Sequence, residues 1–561
     1  MPKYNIWEIR TKPHIHISIE HIHPITIDIL SRRGFLSRSQ IIKFLDSNHS
    51  IVTPPSLLPD IEKGAKRLHK AIKNNENILI YGDYDTDGIT ALSITTKFLL
   101  KLGIKPFYYI NDRITEGYGI STKGIEYAKN NNINLIITVD NGISAFDEIN
   151  LANSYNIDII ITDHHETKDI LPNAIAIINP MRKDSVYPFK EISGCLVAFK
   201  FCEYINEKYS YNIDMTPLIQ LVAIGSIADV MPILNENRYF IKKGIELIRE
   251  SPLPGIKAII ESSKINQNKL NTYTIGFIIG PRLNAMGRLS KADEAYKLLT
   301  IEDLDEIKIL AEKLENTNRK RQKIDRIILK EADLMAQEKI KEGYNVIVLY
   351  RKDWHEGVLG IVSSRICEKY NKPTILLSMN NELAKGSGRS VDNFNLFNAL
   401  KKCKVYLKSY GGHAMAAGLL IENDKLGDFE NCLNKLASDL EISDIKSKII
   451  IDCEIPFSVI DKVLYNDIQK LYPFGTGNPP PVFITYNASI VGKPRIVGNE
   501  HLKIVLRENG KDINAIAFGG KHLLDSIIND KIDICYTIYK NNYMGNESIE
   551  LKIFDIRNTC I

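Results

Sequence analysis

The sequence has few of the features that mark disulfide-stabilised, zinc-stabilised or membrane proteins. Its 561 residues include only eight cysteines, and none of these form a Cys-x-x-Cys pair. Neither a structural zinc site nor a disulfide framework is therefore predicted, and we expect reduced thiols in a cytoplasmic protein. The first residues contain no apolar signal core, and no run of ~18 apolar residues predicts a membrane-spanning helix. We expect no membrane partner.

The net charge and the chain length set only broad limits on the possible partners and on the number of domains. A net charge of +4 permits a polyanionic partner without requiring one, because local patches of charge matter more than the total. The chain is too long for a single hydrophobic core, so about two to four domains are expected. No internal repeat or low-complexity tract suggests a solenoid or a disordered protein.

The first half of the chain alternates short apolar runs with helical stretches. Such alternation indicates βαβ units and a parallel sheet. The apolar runs predicted as buried strands are 78–80, 135–139 and 159–162, and the helical stretches include 91–102 and 122–130.

The second half predicts three further parts. Residues 301–342 contain no Gly and no Pro and predict one long connecting helix, whose basic stretch 318–323 is expected to be a solvated face. A new α/β segment begins at 346–350, and short alternating runs after residue 448 predict a small β-barrel. We therefore expect a multidomain α/β protein with parts at 1–300, 301–344, 345–447 and 448–561.

Acidic or His-bearing segments follow four apolar runs in the first half. Side chains at the carboxyl ends of parallel strands converge on one crevice, and a carboxylate-rich site suits Mg²⁺ or Mn²⁺ better than zinc. The segments are 83–88 (DYDTDG), 140–142 (DNG), 163–165 (DHH) and 228–229 (AD), the last after the apolar run 221–225.

The spacing of these carboxylates favours two ions over one. Asp83, Asp85 and Asp87 alternate on a tight loop and can reach two neighbouring ions, while Asp140 from another strand can bridge the pair. Two ions ~3.5–4 Å apart clamp the attacking and leaving oxygens of a phosphoryl displacement. The same loop resembles a calcium site, but its twelfth position is Ile94, which cannot ligate calcium.

The ordered motifs resemble the DHH phosphoesterase superfamily, and within it the exonucleases specific for single-stranded DNA. The resemblance runs from about residue 51 to the end of the chain. The motifs that carry it are 81–88, 113–119, 140–143, 163–165, 225–230 and 280–288.

This resemblance implies a role for each residue of the cluster. The two ions, Mn²⁺ or Mg²⁺, would be ligated by Asp85, Asp87, Asp140, His164 and Asp229, with Asp83 as a further candidate. His165 would face the scissile phosphate. Asp163 would not ligate an ion itself but would orient the residues that form the site. The related manganese pyrophosphatases have a His where this chain has Tyr81, which disfavours pyrophosphatase chemistry.

Two Gly-rich motifs in the second half resemble the phosphate-handling motifs of the DHH-associated domain. They are 385–390 (KGSGRS) and 410–413 (YGGH), where Gly lets backbone N–H groups approach an anion and Arg supplies a bidentate fork. The candidate phosphate contacts are Ser387, Arg389 and His413, together with Arg113 and either Arg282 or Arg288.

The expected activity is hydrolysis of single-stranded DNA from its 5′ end, with release of 5′-mononucleotides. The resemblance implies work in DNA repair and recombination, by a monomer acting alongside a helicase and a single-strand-binding protein. The C-terminal barrel resembles the oligonucleotide-binding (OB) fold, which binds single strands through a basic groove and stacked aromatics. A second hypothesis is a DHH phosphodiesterase for short oligoribonucleotides or cyclic dinucleotides, whose relatives lack this barrel. A third, a catalytically inactive DNA-binding scaffold, is disfavoured because every proposed ligand is present.

Overall fold

The structure is a computed structural model that describes residues 4, 6–439, 448–543 and 546–559. No helix in these ranges is long and apolar enough to cross a membrane. The strands are β1 Ile6–Ile9, β2 Ile78–Gly82, β3 Phe107–Ile110, β4 Leu135–Val139, β5 Asp158–Thr162, β6 Ala176–Ile178, β7 Ile347–Lys352, β8 Thr374–Met379, β9 Leu383–Arg389, β10 Leu407–Gly412, β11 Ala416–Glu422, β12 Lys448–Ile451, β13 Cys453–Glu454, β14 Phe483–Val497, β15 His501–Glu508, β16 Lys511–Ala517, β17 Lys531–Tyr543 and β18 Asn546–Asn558.

The described residues also form eighteen α-helices, which differ widely in length. They are α1 Pro24–Arg32, α2 Arg38–Asp46, α3 Ile61–Lys73, α4 Thr86–Lys101, α5 Thr122–Asn130, α6 Phe146–Ser154, α7 Gly194–Lys208, α8 Ile219–Ala228, α9 Asn235–Glu250, α10 Pro254–Ser262, α11 Thr272–Thr274, α12 Gly280–Leu289, α13 Asp293–Thr300, α14 Leu304–Lys341, α15 Glu356–Tyr370, α16 Leu396–Lys402, α17 Leu426–Asp439 and α18 Lys462–Ile468.

The chain divides into two compact units. The larger unit comprises Val52–Met231 and Glu236–Ile445, and the smaller comprises Met1–Ile51, Pro232–Asn235 and Lys446–Ile561. Residues 1–51, expected at the start of the first domain, therefore cluster with the C-terminal part instead. Their apolar side chains explain this, because α1 and α2 pack into the core of the barrel described below.

The first sheet of the larger unit is entirely parallel, as the sequence predicts. Its strand order is β3-β2-β4-β5-β6, and the predicted strands correspond to β2, β4 and β5. The strands β2 and β4 are buried along their whole length, as expected for a parallel sheet covered on both faces by helices. The carboxyl ends of β2, β4 and β5 are adjacent, and each is followed by one of the acidic segments.

The fourth acidic segment follows a helix and not a strand. The apolar run before Asp229 forms α8, which is buried from Ile219 to Ser226 and packs against α4 and α7. A run that is apolar on every side fits a fully buried helix as well as a buried strand, which is why the pattern alone is ambiguous. Asp229 is the C-cap residue of α8.

The long helix predicted at 301–342 is α14, Leu304–Lys341. It begins at Asp303, whose side chain accepts hydrogen bonds from the backbone N–H groups of Asp305 and Glu306. The basic stretch is only partly solvated, because Asn318 and Arg321 are buried whereas Arg319 is exposed. The helix is therefore a packing element of the larger unit as well as a connector.

The second sheet of the larger unit has the order β10-β11-β9-β8-β7 and is mixed, since only β7 and β8 pair in parallel. The expected reduced state of all cysteines is wrong in one place here. Cys403 after α16 and Cys432 on α17 form a disulfide.

The smaller unit contains the predicted β-barrel. Strands β14, β15, β16, β18 and β17 pair in that order, and β17 pairs back to β14, which closes the barrel. Its interior is filled by alternating apolar residues, among them Leu502, Ile504 and Leu506 of β15. The fold is thus the expected multidomain α/β arrangement with an OB-like barrel at its C-terminal end.

Candidate metal centre

The acidic loop after β2 places three carboxylates at the start of α4. Asp85 is the N-cap residue, and its Oδ1 accepts a hydrogen bond from the N–H of Gly88 at 3.1 Å. A Cβ on Gly88 would lie 2.7 Å from the carbonyl oxygen of Asp83, so only glycine permits this tight turn. The helix that the sequence predicts from residue 91 therefore begins five residues earlier, at Thr86.

The carboxylate of Asp87 points to the start of α7. Its Oδ2 accepts from the N–H of Gly194 at 2.7 Å, and its Oδ1 accepts from the N–H of Cys195 at 3.0 Å. These donors are at the positive end of the helix dipole and hold the side chain in one orientation. Burial and the nearby charge of Asp85 raise the pKa of Asp87, whereas His164 lowers it, and the net pKa is above the ordinary value.

Asp140 lies at the centre of the site. It follows β4 with a φ of 62°, and its Oδ1 is buried with no hydrogen-bond partner among the described residues. His164 Nε2 lies 3.2 Å from this oxygen. Burial, and then the charges of Asp87 and Asp85, raise the pKa of Asp140 well above its ordinary value.

His164 and Asp229 complete one side of the cluster. His164 Nε2 lies 3.8 Å from Asp87 Oδ2 and 3.6 Å from Asp229 Oδ2. Burial lowers the pKa of His164, which favours the neutral imidazole that ligates metals. Burial and the charge of Asp87 raise the pKa of Asp229 well above its ordinary value.

Asp163 positions the two histidines through hydrogen bonds. Its Oδ1 accepts from His164 N at 2.7 Å and from His165 Nδ1 at 2.7 Å, and its Oδ2 accepts from Ile143 N at 3.0 Å. Burial would raise the pKa of Asp163, but the charge and hydrogen bond of His165 outweigh it and hold that pKa below the ordinary value. Burial works against protonation of His165 too, yet Asp163 raises its pKa to about 9.

The donor set fits two divalent cations. Three groups have ligand atoms within 4.8 Å of one another: Asp83 with Asp85 and Asp140, Asp87 with His164 and Asp229, and Asp140 with His164 and His165. Buried oxygens of Asp83, Asp140 and Asp229 lack hydrogen-bond partners among the described residues. Unpaired buried carboxylates are costly unless a cation neutralises them, and oxygen-rich ligands suit Mn²⁺ and Mg²⁺. Asp140 belongs to two of the groups, which suits a bridging ligand.

Tyr81 lies outside this donor set. Its hydroxyl donates to Asn111 Oδ1 at 2.5 Å, and its ring fills the space above Gly124, where a Cβ would approach it to 2.3 Å. The side chain therefore packs β2 against α5.

Three arginines without carboxylate partners form the wall next to the acidic cluster. In the described part of the chain, no ion pair involves Arg113, Arg288 or Arg389. Arg288 donates to the carbonyl oxygen of Gly357 at 3.0 Å, and Arg389 lies 3.2 Å from Ser387 Oγ. Burial, followed by the charges of Arg113, Arg321 and Arg389, lowers the pKa of Arg288. Such a cluster attracts an anion.

The structure separates the two arginines between which the sequence could not choose. Arg282 Nε donates to Glu315 Oε2 at 2.7 Å, and its Nη1 donates to the carbonyl oxygen of Ile278 at 2.7 Å. The bond to Glu315 attaches α12 to α14. Arg288 makes no such ion pair in the described ranges and lies beside Arg113 and Arg389.

His413 lies at the margin of this arginine wall. Its side chain is exposed on the turn between β10 and β11, and its N–H donates to the carbonyl oxygen of Ala416 at 2.8 Å. Ala416 pairs with Arg389, so His413 is about two strand spacings, roughly 10 Å, from Arg389 along the sheet. The structure does not bring it into the metal cluster.

Sequence reasoning missed three residues that shape the site. Tyr118 Oη lies 2.9 Å from His165 Nδ1 and donates to the carbonyl oxygen of Asp140 at 3.1 Å. Asn284 Oδ1 accepts from the N–H of Thr86 at 2.9 Å and so attaches α12 to the acidic loop. Gly194 permits α7 to approach Asp140 closely. Tyr118 and Asn284 lie within recognised motifs, and that membership was their only sequence signal.

Comparison with known proteins first defines the class. The model of the "DHH family, N-terminal domain" matches residues 77–226, which contain the parallel sheet and most of the acidic cluster. The model of the "DHHA1 domain" matches 343–440, and that of the "RecJ OB domain" matches 451–555.

The relatives narrow this class to one family. The single-stranded-DNA-specific exonuclease RecJ of Bacillus subtilis is 34% identical over 95% of this chain and 68% of its own length. RecJ of Escherichia coli is 31% identical over 95% of this chain and 96% of its own length. The crystal structure of Thermus thermophilus RecJ in complex with Mn²⁺ has a TM-score of 0.84 at 24% identity and covers 99% of this chain and 80% of that one. A second structure of that protein is in complex with Mg²⁺. The chain belongs to the RecJ family.

Proposed function

We propose that the protein is an exonuclease specific for single-stranded DNA and dependent on two divalent cations, Mn²⁺ or Mg²⁺. The observation that carries this proposal is the arrangement of the site. Five carboxylates, His164 and His165 form three ligand groups linked through Asp140 and His164, and three arginines without ion-pair partners among the described residues lie beside them. The carboxylates and histidines suit cations, and the arginines suit the phosphates of a strand.

The acidic residues would hold the two ions. Asp83 and Asp85 would hold one ion and Asp87, His164 and Asp229 the other, with Asp140 shared between them. Bound ions of this kind polarise the phosphate and activate water for in-line displacement. The chain's own contribution is to fix the carboxylates through backbone donors, such as those of Gly194 and Cys195 to Asp87.

His165 would contact the scissile phosphate. Its Nδ1 donates to Asp163, which leaves Nε2, 3.3 Å from Tyr118 Oη, as the nitrogen that can donate to a phosphate oxygen. Asp163 is a positioning residue, because it holds the ring and favours its protonated form.

The arginine wall would position the strand. Arg113, Arg288 and Arg389, with Ser387 Oγ beside Arg389, would bind phosphate groups. His413 would contact the backbone farther along the sheet. Arg282 is excluded from our set because its guanidinium is already bonded to Glu315 and Ile278.

The OB-like barrel supports a long strand over a short oligoribonucleotide or cyclic dinucleotide as substrate. A barrel of this kind adds binding surface that a dinucleotide cannot use. The match of the RecJ OB domain to residues 451–555 favours the same choice.

Polarity, products and biological setting follow from family membership. We infer cleavage from the 5′ end with release of 5′-mononucleotides, in DNA repair and recombination, by a monomer. An enzyme confined to single strands needs an opened duplex, so a helicase and a single-strand-binding protein are its natural partners. A DNA substrate also supports the expected cytoplasmic location. We retain the domain breaks at 301, 345 and 448, with residues 1–51 assigned to the C-terminal part.

The test is digestion of DNA labelled at either end, single-stranded or double-stranded, with Mn²⁺ or Mg²⁺. Progressive loss of the 5′ label from single strands is expected, and Asp140→Ala should abolish cleavage while single-strand binding persists. A preference for a dinucleotide over the long strand would favour the phosphodiesterase hypothesis. Undiminished cleavage by Asp140→Ala would refute the two-metal assignment.

A further inference from the structure

Lys385 lies on the strand that carries two of the proposed phosphate contacts. Side chains alternate between the two faces of a strand, so Lys385, Ser387 and Arg389 lie on the same face of β9. The burial pattern agrees, because these three residues are at least partly accessible and the residues between them are buried. The ammonium group of Lys385 contacts two groups that belong to other parts of the larger unit.

The first contact joins β9 to the loop that follows β3. Lys385 Nζ donates to the carbonyl oxygen of Ile114 at 3.0 Å, and Ile114 directly follows Arg113. Within the loop, Asp112 Oδ1 accepts from the N–H groups of Ile114 and Thr115 at 3.0 and 2.8 Å. Among the described residues, the bond from Lys385 is the one hydrogen bond that connects this loop to β9.

The guanidinium group of Arg113 has few other contacts that fix its position. It lies 5.0 Å from the centre of the Tyr84 ring, and it forms no ion pair within the described ranges. A single cation–π contact at a partly accessible site is weak. The position of the Arg113 side chain therefore depends on the loop backbone, which Lys385 holds.

The second contact joins β9 to the start of α15. Lys385 Nζ lies 3.3 Å from Glu356 Oε2, and Glu356 is the first residue of α15, where the helix dipole favours a carboxylate. The carbonyl oxygen of the next residue, Gly357, accepts from Arg288 Nη1 at 3.0 Å. A Cβ on Gly357 would lie 2.4 Å from the carbonyl oxygen of Arg288, so α12 and α15 are in close contact here. The ion pair is thus adjacent to the contact that holds a second arginine of the wall.

We propose that Lys385 is a positioning residue for the arginine wall. It holds Arg113 in place through the carbonyl group of Ile114, and the carboxylate of Glu356 fixes the ammonium group. A surface ion pair contributes little to stability by itself, so the expected effect is on the orientation of a phosphate-binding group. This inference rests on the proposed function, in which the arginines of the wall bind the phosphates of a strand.

Direct contact between Lys385 and a phosphate is the competing explanation. An ammonium group has three protons to donate, and the carbonyl group of Ile114 and the carboxylate of Glu356 engage two of them. The negative charge of Glu356 also repels a phosphate placed beside the same ammonium group. The contacts therefore favour positioning over direct binding.

The test is a double-mutant cycle between Lys385→Met and Arg113→Ala. Its readouts are kcat/KM for cleavage of a long single strand and the Kd for that strand in the presence of a chelator. Lys385→Met alone should worsen both by about tenfold, the value of one hydrogen bond to a charged group. In the Arg113→Ala background the same change should cost less than about twofold, because the side chain that Lys385 positions is absent. Equal losses in both backgrounds would overturn the inference, as would no loss in either.

Glu356→Gln distinguishes the two explanations independently. Without the carboxylate the ammonium group is held less firmly, so positioning predicts a loss of kcat/KM and of single-strand affinity. A lysine that binds phosphate directly would instead bind it more tightly once the competing negative charge is removed. Tighter single-strand binding by Glu356→Gln would therefore contradict the positioning role.

The matched control is Lys369→Met, which should leave both readouts unchanged. Lys369 pairs with Asp333 at 2.6 Å, and the side chains of this pair are 53% and 24% exposed, close to the 45% and 23% of Lys385 and Glu356. Thermal melting identifies any variant that fails to fold, and Lys385→Gln, with the same expected dependence on Arg113, replaces Lys385→Met in that case. If the wild-type protein does not cleave the strand, the proposed function has failed, whereas the cycle in Kd still decides whether Lys385 acts through Arg113.

Discussion

Gly194 and Asp140 are in such close contact that a side chain at one would displace the other. A Cβ on Gly194 would lie 2.5 Å from Asp140 Oδ1 and 2.6 Å from Asp140 Cβ. This contact lets the first turn of α7 approach the acidic cluster and donate two backbone N–H groups to Asp87. One glycine thus sets the position of two proposed metal ligands.

Gly194→Ala should therefore disable catalysis more than it disables binding. We expect kcat to fall by about a hundredfold, because a misplacement near 1 Å can cost that much, while affinity for single-stranded DNA changes little. Single-turnover cleavage and equilibrium binding measure the two effects. Gly427→Ala is the matched control, since nothing lies within 4 Å of its added Cβ. A fully active Gly194→Ala protein would show that Asp140 need not be held in this position.

Metal ions should change how stability depends on pH. Burial and mutual repulsion raise the folded-state pKa values of Asp83, Asp140 and Asp229 above their ordinary values. For an acid with a raised pKa, the stabilising contribution is complete below the unfolded-state pKa and is lost as pH rises through the folded-state pKa. The metal-free protein should therefore lose Tm as pH rises from mildly acidic to alkaline, and Mn²⁺ should restore it.

Asp140→Asn provides the sharpest form of this experiment. It should raise the Tm of the metal-free protein at alkaline pH, because it removes a buried charge, and it should reduce the rise in Tm on addition of Mn²⁺. Scanning fluorimetry with a chelator or with Mn²⁺ measures both effects, and Asp424→Asn, at an exposed site, is the control. An undiminished Mn²⁺ effect in Asp140→Asn would contradict its assignment as a ligand.

Asp163→Asn should reduce turnover and change its pH dependence. We expect kcat to fall by about 10–100-fold, the usual cost of losing a carboxylate that orients a neighbouring ligand. Without that negative charge the pKa of His165 should fall from about 9, so the alkaline limb of the pH–rate profile should move to lower pH. Steady-state kinetics across a range of pH tests this prediction. An unchanged pH–rate profile would show that Asp163 does not control the protonation of His165.

Arg288→Ala and Arg282→Ala should have different effects although the two residues are only six positions apart on α12. Arg288→Ala should raise the KM for a single strand by roughly 10–100-fold, the value of a hydrogen bond to a charged group, with little change in Tm. Arg282→Ala breaks the contact with Glu315 and should cost about 1.5–3 kcal/mol of stability. Measurement of KM and Tm for both variants shows which arginine contacts DNA and which stabilises the fold. A raised KM in Arg282→Ala with a lowered Tm in Arg288→Ala would exchange the two assignments.

Much of the larger unit could be predicted from local patterns. Uninterrupted apolar runs predicted β2, β4 and β5 to within two residues at either end, because strands buried on both faces have no polar positions to confuse the pattern. The same rule did not reveal that the run before Asp229 is a helix, since a fully buried helix has no polar face either. The short edge strand β3 was not predicted either, because it is only partly buried and the rule applies to strands that are buried on both faces.

The sequence by itself determined the chemistry of this protein: which carboxylates and histidines are available, in what order, and that they follow buried apolar segments. Tertiary structure alone decided how these groups meet. It placed Asp140 within two ligand groups, paired Arg282 with Glu315, and left Arg288 beside Arg113 and Arg389. The physical reason is that ligand identity is a property of single residues, whereas distance, burial and pairing depend on segments far apart in the chain.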